Sequence, residues 1–229
     1  MEQALKKGSA GAAGRLKNSN IAQAWLILVL AFIFGAALAA VQVNLSGVIA
    51  ANKLNETLER VPELVWGAAA APKIASQNAS VDITPGTVTI KKDAKTVYYN
   101  LFRVTHEGKL AGWVIKAGGQ GYADKIELII GLDPGADTIT GLFVLQQKET
   151  PGLGNKIAFP QWRNQFIRKK TSAPLVVVTK GKSQPPNAID AVTGATISSR
   201  SVTGIVNRTI GDIKGQLTPA TIRYSGRQL

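Results

Sequence analysis

Residues 97–145 read VYYNLFRVTHEGKLAGWVIKAGGQGYADKIELIIGLDPGADTITGLFVL, and this run decides the fold. Val97–Val104, Leu110–Lys116, Lys125–Leu132 and Thr138–Leu145 have strand character. Turn signals separate them at Glu107-Gly108, Gly118–Gly121 and Asp133-Pro134-Gly135. Upstream, the period becomes two from Gly86, with Val88 and Ile90 followed by a turn at Lys92-Asp93. The reading is a five-strand, mainly antiparallel meander. Downstream, Phe159–Phe166 reads as a helix, Leu175–Val178 as a sixth strand and Ile197–Leu217 as a long helix. In that last helix Val202, Ile205, Val206, Ile210 and Ile213 make one apolar face. Strands first and helices around the end give an α+β class, with the main domain over 86–217. No internal repeat is visible.

A membrane element precedes the domain. Ala24–Val41 (AWLILVLAFIFGAALAAV) is 18 residues with neither charged nor uncharged polar side chains, inside a charge-free stretch from Asn18 to Asn52. At about 1.5 Å per residue it spans about 27 Å, near the hydrocarbon thickness of a bilayer. Trp25 sits at its start, where an interfacial indole belongs. Ala37-Leu38-Ala39 could pass for a signal-peptide cleavage site, but the apolar run is longer than a signal core. The expected layout is a flexible tail over 1–19, a transmembrane helix over 20–45, a juxtamembrane helix and linker over 46–85, and a C-terminal tail over 218–229. Within it, Asn52–Val61 is helical, Pro62 stops that helix, and Ala68–Pro72 is linker-like. Lys6, Lys7, Arg15 and Lys17 against Glu2 give the tail a net +3, while Lys53 beyond the span is offset by Glu56 and Glu59. The positive-inside rule then puts the N-terminus in the cytoplasm and the domain on the extracytoplasmic side.

Composition narrows the chemistry. The 229 residues contain no cysteine and one histidine, His106. Disulfides, cysteine-ligated clusters, c-type haem and histidine-rich metal sites are excluded. Electron transfer by this chain therefore needs an organic cofactor. The net charge is +13, but the basic residues are scattered apart from Arg168-Lys169-Lys170 and Lys180-Gly181-Lys182. No nucleic-acid motif is present, so the basic surface reads either as a solvated face without a partner or as one that meets anionic lipid or acidic subunits. There is no motif pair of carboxylates, no nucleophile–base arrangement, no Rossmann fingerprint and no P-loop. The chain shows no substrate chemistry of its own.

Two motifs remain. Residues 190–196 read Asp-Ala-Val-Thr-Gly-Ala-Thr, between a strand-like run and the long helix. Thr196 falls near a helix N-terminus just after a glycine turn, an anion site by virtue of free N–H groups and the helix dipole. Residues 149–154 read Glu-Thr-Pro-Gly-Leu-Gly, a tight loop of little bulk. Read blandly, these are a helix cap and a turn.

The two motifs together resemble the FMN-binding domain family, in the branch serving membrane electron transport. That branch holds the G component of Rnf-type electron-transport complexes and its relative, the C component of the sodium-translocating NADH:quinone oxidoreductase. The resemblance covers roughly residues 20–217. It implies an FMN-binding domain over 86–217 and FMN held covalently on Thr196 by a phosphoester made by a dedicated flavin transferase. Asp190, Thr193, Gly194 and Ala195 occupy the motif's other fixed positions. It further implies a single-pass protein of the cytoplasmic membrane, in contact with the bilayer, relaying electrons among the other subunits of an ion-translocating complex.

The flavin ring then needs a shallow pocket. Gly152, Leu153 and Gly154 are candidates to line it, and Glu149 and Thr150 to hydrogen-bond the ring or hold the loop. Gly118–Tyr122 is a second small-residue loop that could approach the cofactor, although a hairpin turn is the simpler reading. Trp113 and Trp162 could stack on a flavin but read more simply as core, and His106 reads as exposed and inert. The rival classes are a membrane-anchored ligand- or partner-binding domain without redox chemistry, and a stand-alone FMN domain of a reductase or regulator.

Overall fold

A computed structural model describes residues 20–76, 80–92, 95–179, 185–218 and 220–224. The tail over 1–19, Asp93 and Lys180-Gly181-Lys182 lie outside the described residues, as does the end of the C-terminal tail. The chain divides into two units, Met1–Asn55 and Glu56–Leu229.

The first unit carries most of helix α1, Asn20–Trp66. Its large apolar side chains from Ile21 to Ile49 are exposed on the helix surface. Among the described residues, one helix is long and apolar enough to cross a membrane, and it is this one. An apolar surface of that extent is unstable in water and calls for a lipid or protein cover.

The second unit is α+β. The last turns of α1 belong to it, followed by a short helix α2 (Ala71–Ser76). A meander comes next: β1 (Val81–Lys92), β2 (Lys95–His106), β3 (Lys109–Gln120), β4 (Lys125–Leu132) and β5 (Ile139–Gln146). Every neighbouring pair is antiparallel. The five strands expected from the sequence are all present. β1 starts at Val81, before the expected change of period at Gly86, and β8 (Ile222–Tyr224) adds itself to β1 at the sheet edge. The sixth strand forms as β6 (Val176–Val178), but it stands off the main sheet and pairs in parallel with β7 (Ala188–Asp190). Three-residue strands such as β7 and β8 are too short to show a period. Between β5 and β6 lie helix α3 (Pro160–Arg163) and two 3₁₀ turns, Gly154–Ala158 and Asn164–Phe166, in place of one helix over 159–166. Helix α4 runs Thr196–Ile213.

The sheet is buried on both faces. On one, Leu101, Trp113, Ile115, Leu128 and Ile130 meet Val202, Ile205, Val206, Ile210 and Ile213 of α4. On the other, Phe102, Val104, Val114 and Ile129 meet Val61, Leu64 and Val65 of α1. Double burial explains the unbroken apolar run that ends β4, Leu128–Leu132 (LIIGL), which a half-buried strand would interrupt with polar residues. It also explains why α1 continues past Pro62 instead of stopping there. Pro62 forfeits one backbone hydrogen bond, but Leu64 and Val65 beyond it are driven onto the sheet. Gly67, at φ +82°, ends the helix and donates its N–H to the Glu63 carbonyl.

Glycines let α1 settle this closely. A Cβ on Gly131 would lie 2.5 Å from the Leu64 carbonyl oxygen, and one on Gly141 would lie 2.8 Å from Leu64 Cδ2. One on Gly112 would lie 2.6 Å from the Leu132 carbonyl oxygen and 3.3 Å from Val65 Cγ1. On the opposite face, a Cβ on Gly119 would lie 2.7 Å from Ile205 Cγ1 of α4. A polar tie joins that face as well. Tyr99 Oη donates to Asp212 Oδ2 at 2.7 Å, and Lys92 pairs with the same carboxylate. Burial, then the Asp212 hydrogen bond, pushes the Tyr99 phenol up to about 12.

Gly131→Ala is expected to destabilise the domain by about 1–3 kcal/mol, since its methyl group meets backbone that cannot retreat. Gly204→Ala on α4, where a Cβ meets nothing within 4 Å, is expected to stabilise by about 0.5–1 kcal/mol. Urea denaturation of the two variants checks this, and equal effects of both would contradict the packing.

Candidate functional site

Three chain segments converge at the N-terminus of α4: the β3–β4 turn, the loop after β5, and the turn between β7 and α4. The last is a strand–glycine–helix junction. Gly194 takes φ +80°, a conformation that side chains resist, and so reverses the chain into the helix. The reversal is fixed from both sides. Ala195 N–H donates to the Val192 carbonyl and Ser199 N–H to the Ala195 carbonyl. The fully buried Ser199 hydroxyl accepts from Val192 N–H at 3.0 Å and donates to the Ala195 carbonyl at 3.0 Å. Thr196 is the first residue of α4, and it is exposed. The N–H groups of Thr196, Ile197 and Ser198 precede the first intrahelical bond, so the positive end of the dipole faces outward here.

Beneath the junction lies Glu149, 3% exposed. Its Oε1 accepts Tyr122 N–H at 3.0 Å and Ala123 N–H at 3.1 Å, and its Oε2 accepts the Ser198 hydroxyl. One carboxylate therefore binds all three segments. Space for it is made by glycine. A Cβ on Gly121 would fall 2.4 Å from Glu149 Oε1, and one on Gly154 would fall 2.8 Å from Glu149 Cβ. Outside, Lys148 Nζ reaches Asp124 Oδ2 at 2.8 Å. Its hydrogen bond and charge hold the Asp124 carboxyl below the ordinary range.

The result is a cleft of about 530 Å³ lined by Tyr122, Thr150, Leu153, Gly154 and the β7–α4 junction from Gly194 to Ser198. Of the sequence-derived candidates, Thr150, Leu153, Gly154, Gly194, Ala195 and Thr196 line this cleft, with Glu149 holding it from below. Gly152 does not line it. It sits at φ +76° with nothing within 4 Å of its absent Cβ, so it serves the turn. Gly154 is small because Glu149 and Ser198 press on it. Asp190 and Thr193 line a neighbouring cleft of about 590 Å³ with Lys156, Phe159 and Trp162. Asp190 lies in β7, not at the helix start. Its backbone is clamped: its carbonyl accepts Trp162 Nε1–H at 2.7 Å, and its N–H donates to Gln165 Oε1 at 2.8 Å.

Trp113 and Trp162 are both buried. The Trp113 indole N–H is spent on the Pro134 carbonyl, and Trp162 packs edge-to-face on Phe166. The turn at Glu107-Gly108 predicts an exposed His106; the ring is instead half-buried, edge-on to Trp66 at 5.9 Å, because β2 ends against the last turn of α1. Gly118–Tyr122 is not a loop throughout: β3 extends to Gln120, and the reversal starts at Gly121.

Sequence reasoning misses Ser198, Ser199 and Ile197 and sets Tyr122 aside. The serine pair in the first turn of a helix is the available signal. Leu153, Ile197 and Tyr122 are 44%, 54% and 63% exposed, an apolar rim around a polar anchor.

Residues 121–211 match the FMN-binding domain family. The chain is 38% identical over 104 residues to the G component of the Na(+)-translocating ferredoxin:NAD(+) oxidoreductase complex of Acetobacterium woodii, covering 45% of this chain and 49% of that relative. It is 29% identical over 147 residues to the G component of the ion-translocating oxidoreductase complex of Methanosarcina acetivorans, covering 64% and 74%. It is also 29% identical over 141 residues to the C component of the Na(+)-translocating NADH-quinone reductase of Yersinia pestis, covering 58% and 53%. The chain thus spans about half the length of two of these relatives. Among solved structures, NqrC of Shewanella oneidensis shares the fold, with a TM-score of 0.52 at 22% identity, over 70% of this chain and 93% of that one.

Glu149→Ala leaves two backbone N–H groups and one hydroxyl without their acceptor. A loss of about 2–4 kcal/mol is expected. Hydrogen exchange should show it first at Tyr122 and Ala123; unchanged protection there would mean that the carboxylate does not hold the turn.

Proposed function

We propose that this chain is an electron-carrying subunit of a membrane-bound, ion-translocating electron-transport complex of the Rnf type, and that it carries FMN on Thr196 through a phosphoester. The observation that carries the reading is the placement of Thr196: an exposed hydroxyl at the first turn of α4, at the mouth of a cleft, inside the segment that matches the family. The residues fit the group. A phosphate on Thr196 Oγ1 sits at the positive end of the α4 dipole beside N–H groups that precede the intrahelical ladder. The cleft's volume lies in the ordinary ligand range of about 300–1,000 Å³, and Leu153, Ile197 and Tyr122 supply its apolar lining.

Attachment forms the Thr196 Oγ1–P bond, releases the hydroxyl proton, and expels the leaving group of an activated flavin nucleotide held by a flavin transferase. Bound FMN supplies the one- or two-electron redox chemistry that the side chains lack. The protein holds and orients. Gly194 and Ser199 present Thr196 outward, Glu149 fixes the loop carrying Thr150 and Leu153, and the buried sheet keeps the rim rigid. Thr193 and Asp190 belong to the segment a transferase would grip. Electron donor and acceptor are other subunits of the complex. α1 anchors the chain in the bilayer, and the basic tail before it sets the N-terminus in the cytoplasm with the domain outside.

Peptide mapping of protein produced beside an active flavin transferase is expected to place an FMN-sized mass on Thr196. Thr196→Ala should abolish it, and Thr196→Ser should retain part. An unmodified Thr196 under those conditions would falsify the attachment.

Topology has its own test. Protease added to intact cells is expected to digest the domain beyond Lys53. Digestion only in inverted vesicles would reverse the orientation.

A further inference from the structure

The segment 190–198 borders two clefts. Asp190–Thr193 line one with Phe159 and Trp162, and Gly194–Ser198 line the other with Tyr122, Thr150 and Leu153. Each presents one large exposed aromatic ring, Phe159 at 46% and Tyr122 at 63%. We infer that Tyr122 is the aromatic wall of the cofactor site and packs against the flavin ring. This rests on the proposed FMN attachment and goes beyond it by fixing where the ring lies.

Three observations support the assignment. First, Thr196 lines the Tyr122 cleft and not the Phe159 cleft, so a chain of atoms leaving Thr196 Oγ1 starts in the former. Second, the backbone that carries Tyr122 is held in place. The Tyr122 N–H and that of Ala123 are held by the buried Glu149 carboxylate. Gly121 N–H is held by the Asp124 carbonyl at 2.8 Å, and Lys148 pairs with Asp124. A turn this constrained presents its uncovered aromatic ring from a fixed backbone, so a flat partner has only the side-chain rotamer left to order. Third, the tie is shared. The carboxylate that holds Tyr122 also holds Ser198, two residues from the anchor, so wall and anchor keep a fixed separation.

The test uses the full chain in detergent, produced beside an active flavin transferase, with intact mass measured first. The probe is iodide quenching of flavin fluorescence, read with the flavin absorption spectrum. Tyr122→Leu is expected to keep the FMN mass and the thermal transition, because the fold uses only the backbone of Tyr122. Its quenching constant should rise toward that of free FMN, and its absorption maxima should shift. Tyr122→Phe should keep the shielding, and Phe159→Leu should change neither readout. Unchanged quenching and spectrum in Tyr122→Leu, with FMN attached, overturns the inference and leaves the attachment standing. A response in Phe159→Leu alone places the ring in the other cleft and overturns it as well. A wild-type chain without the FMN mass overturns the attachment itself, and this inference with it.

Discussion

The site depends on one buried carboxylate. Glu149 accepts hydrogen bonds from two backbone N–H groups of the β3–β4 turn and from a hydroxyl in the first turn of α4. A charge taken out of water is costly unless its lone pairs are occupied, and here donors from two segments occupy them. The consequence is mechanical: three segments far apart in sequence share one acceptor, so none moves without the others. The two glycines pressed against Glu149, Gly121 and Gly154, follow from the same constraint, because a methyl group at either position would evict it.

The sheet supplies the rigidity behind that joint. Its two faces are buried by helices from opposite ends of the described chain, α4 on one and the end of α1 on the other. Both helices approach until strand glycines decide the distance. Loops placed on such a base can carry an exposed apolar rim and an outward-facing helix N-terminus without collapsing on them. The site is thus a surface feature with a buried foundation.

Two clefts share the β7–α4 junction, and the junction treats them differently. Asp190 is held by its backbone, through Trp162 and Gln165, and faces a cleft without the anchor. Thr196 stands beyond the Gly194 reversal in the other. Seven residues that read as one motif therefore divide their work: the first half docks the segment to the core, and the second half presents the hydroxyl.

The meander, the α+β class, the long apolar helix and the position of Thr196 at a helix start are all legible in the sequence. Each rests on short-range physics: a period of two, a period of 3.6, a glycine reversal, and a charge-free run of sufficient length. The Glu149 loop and the 190–196 segment are also legible as motifs. What the sequence does not decide is partnership. Gly154 reads locally as a small residue lining a pocket; it does line the cleft, and its lack of a side chain also leaves room for Glu149, which no local rule announces. Pro62 reads as a stop, yet the helix passes it because Leu64 and Val65 find the sheet. His106 reads as exposed and lies against Trp66. Tyr122 and Ser198, separated by 76 positions, meet through a carboxylate 27 residues from one and 49 from the other. No local rule carries that information, because it arises only when α4 packs on the sheet and brings the three loops to one corner. Sequence determined the elements and the hydroxyl at the helix start; packing decided which residues surround it.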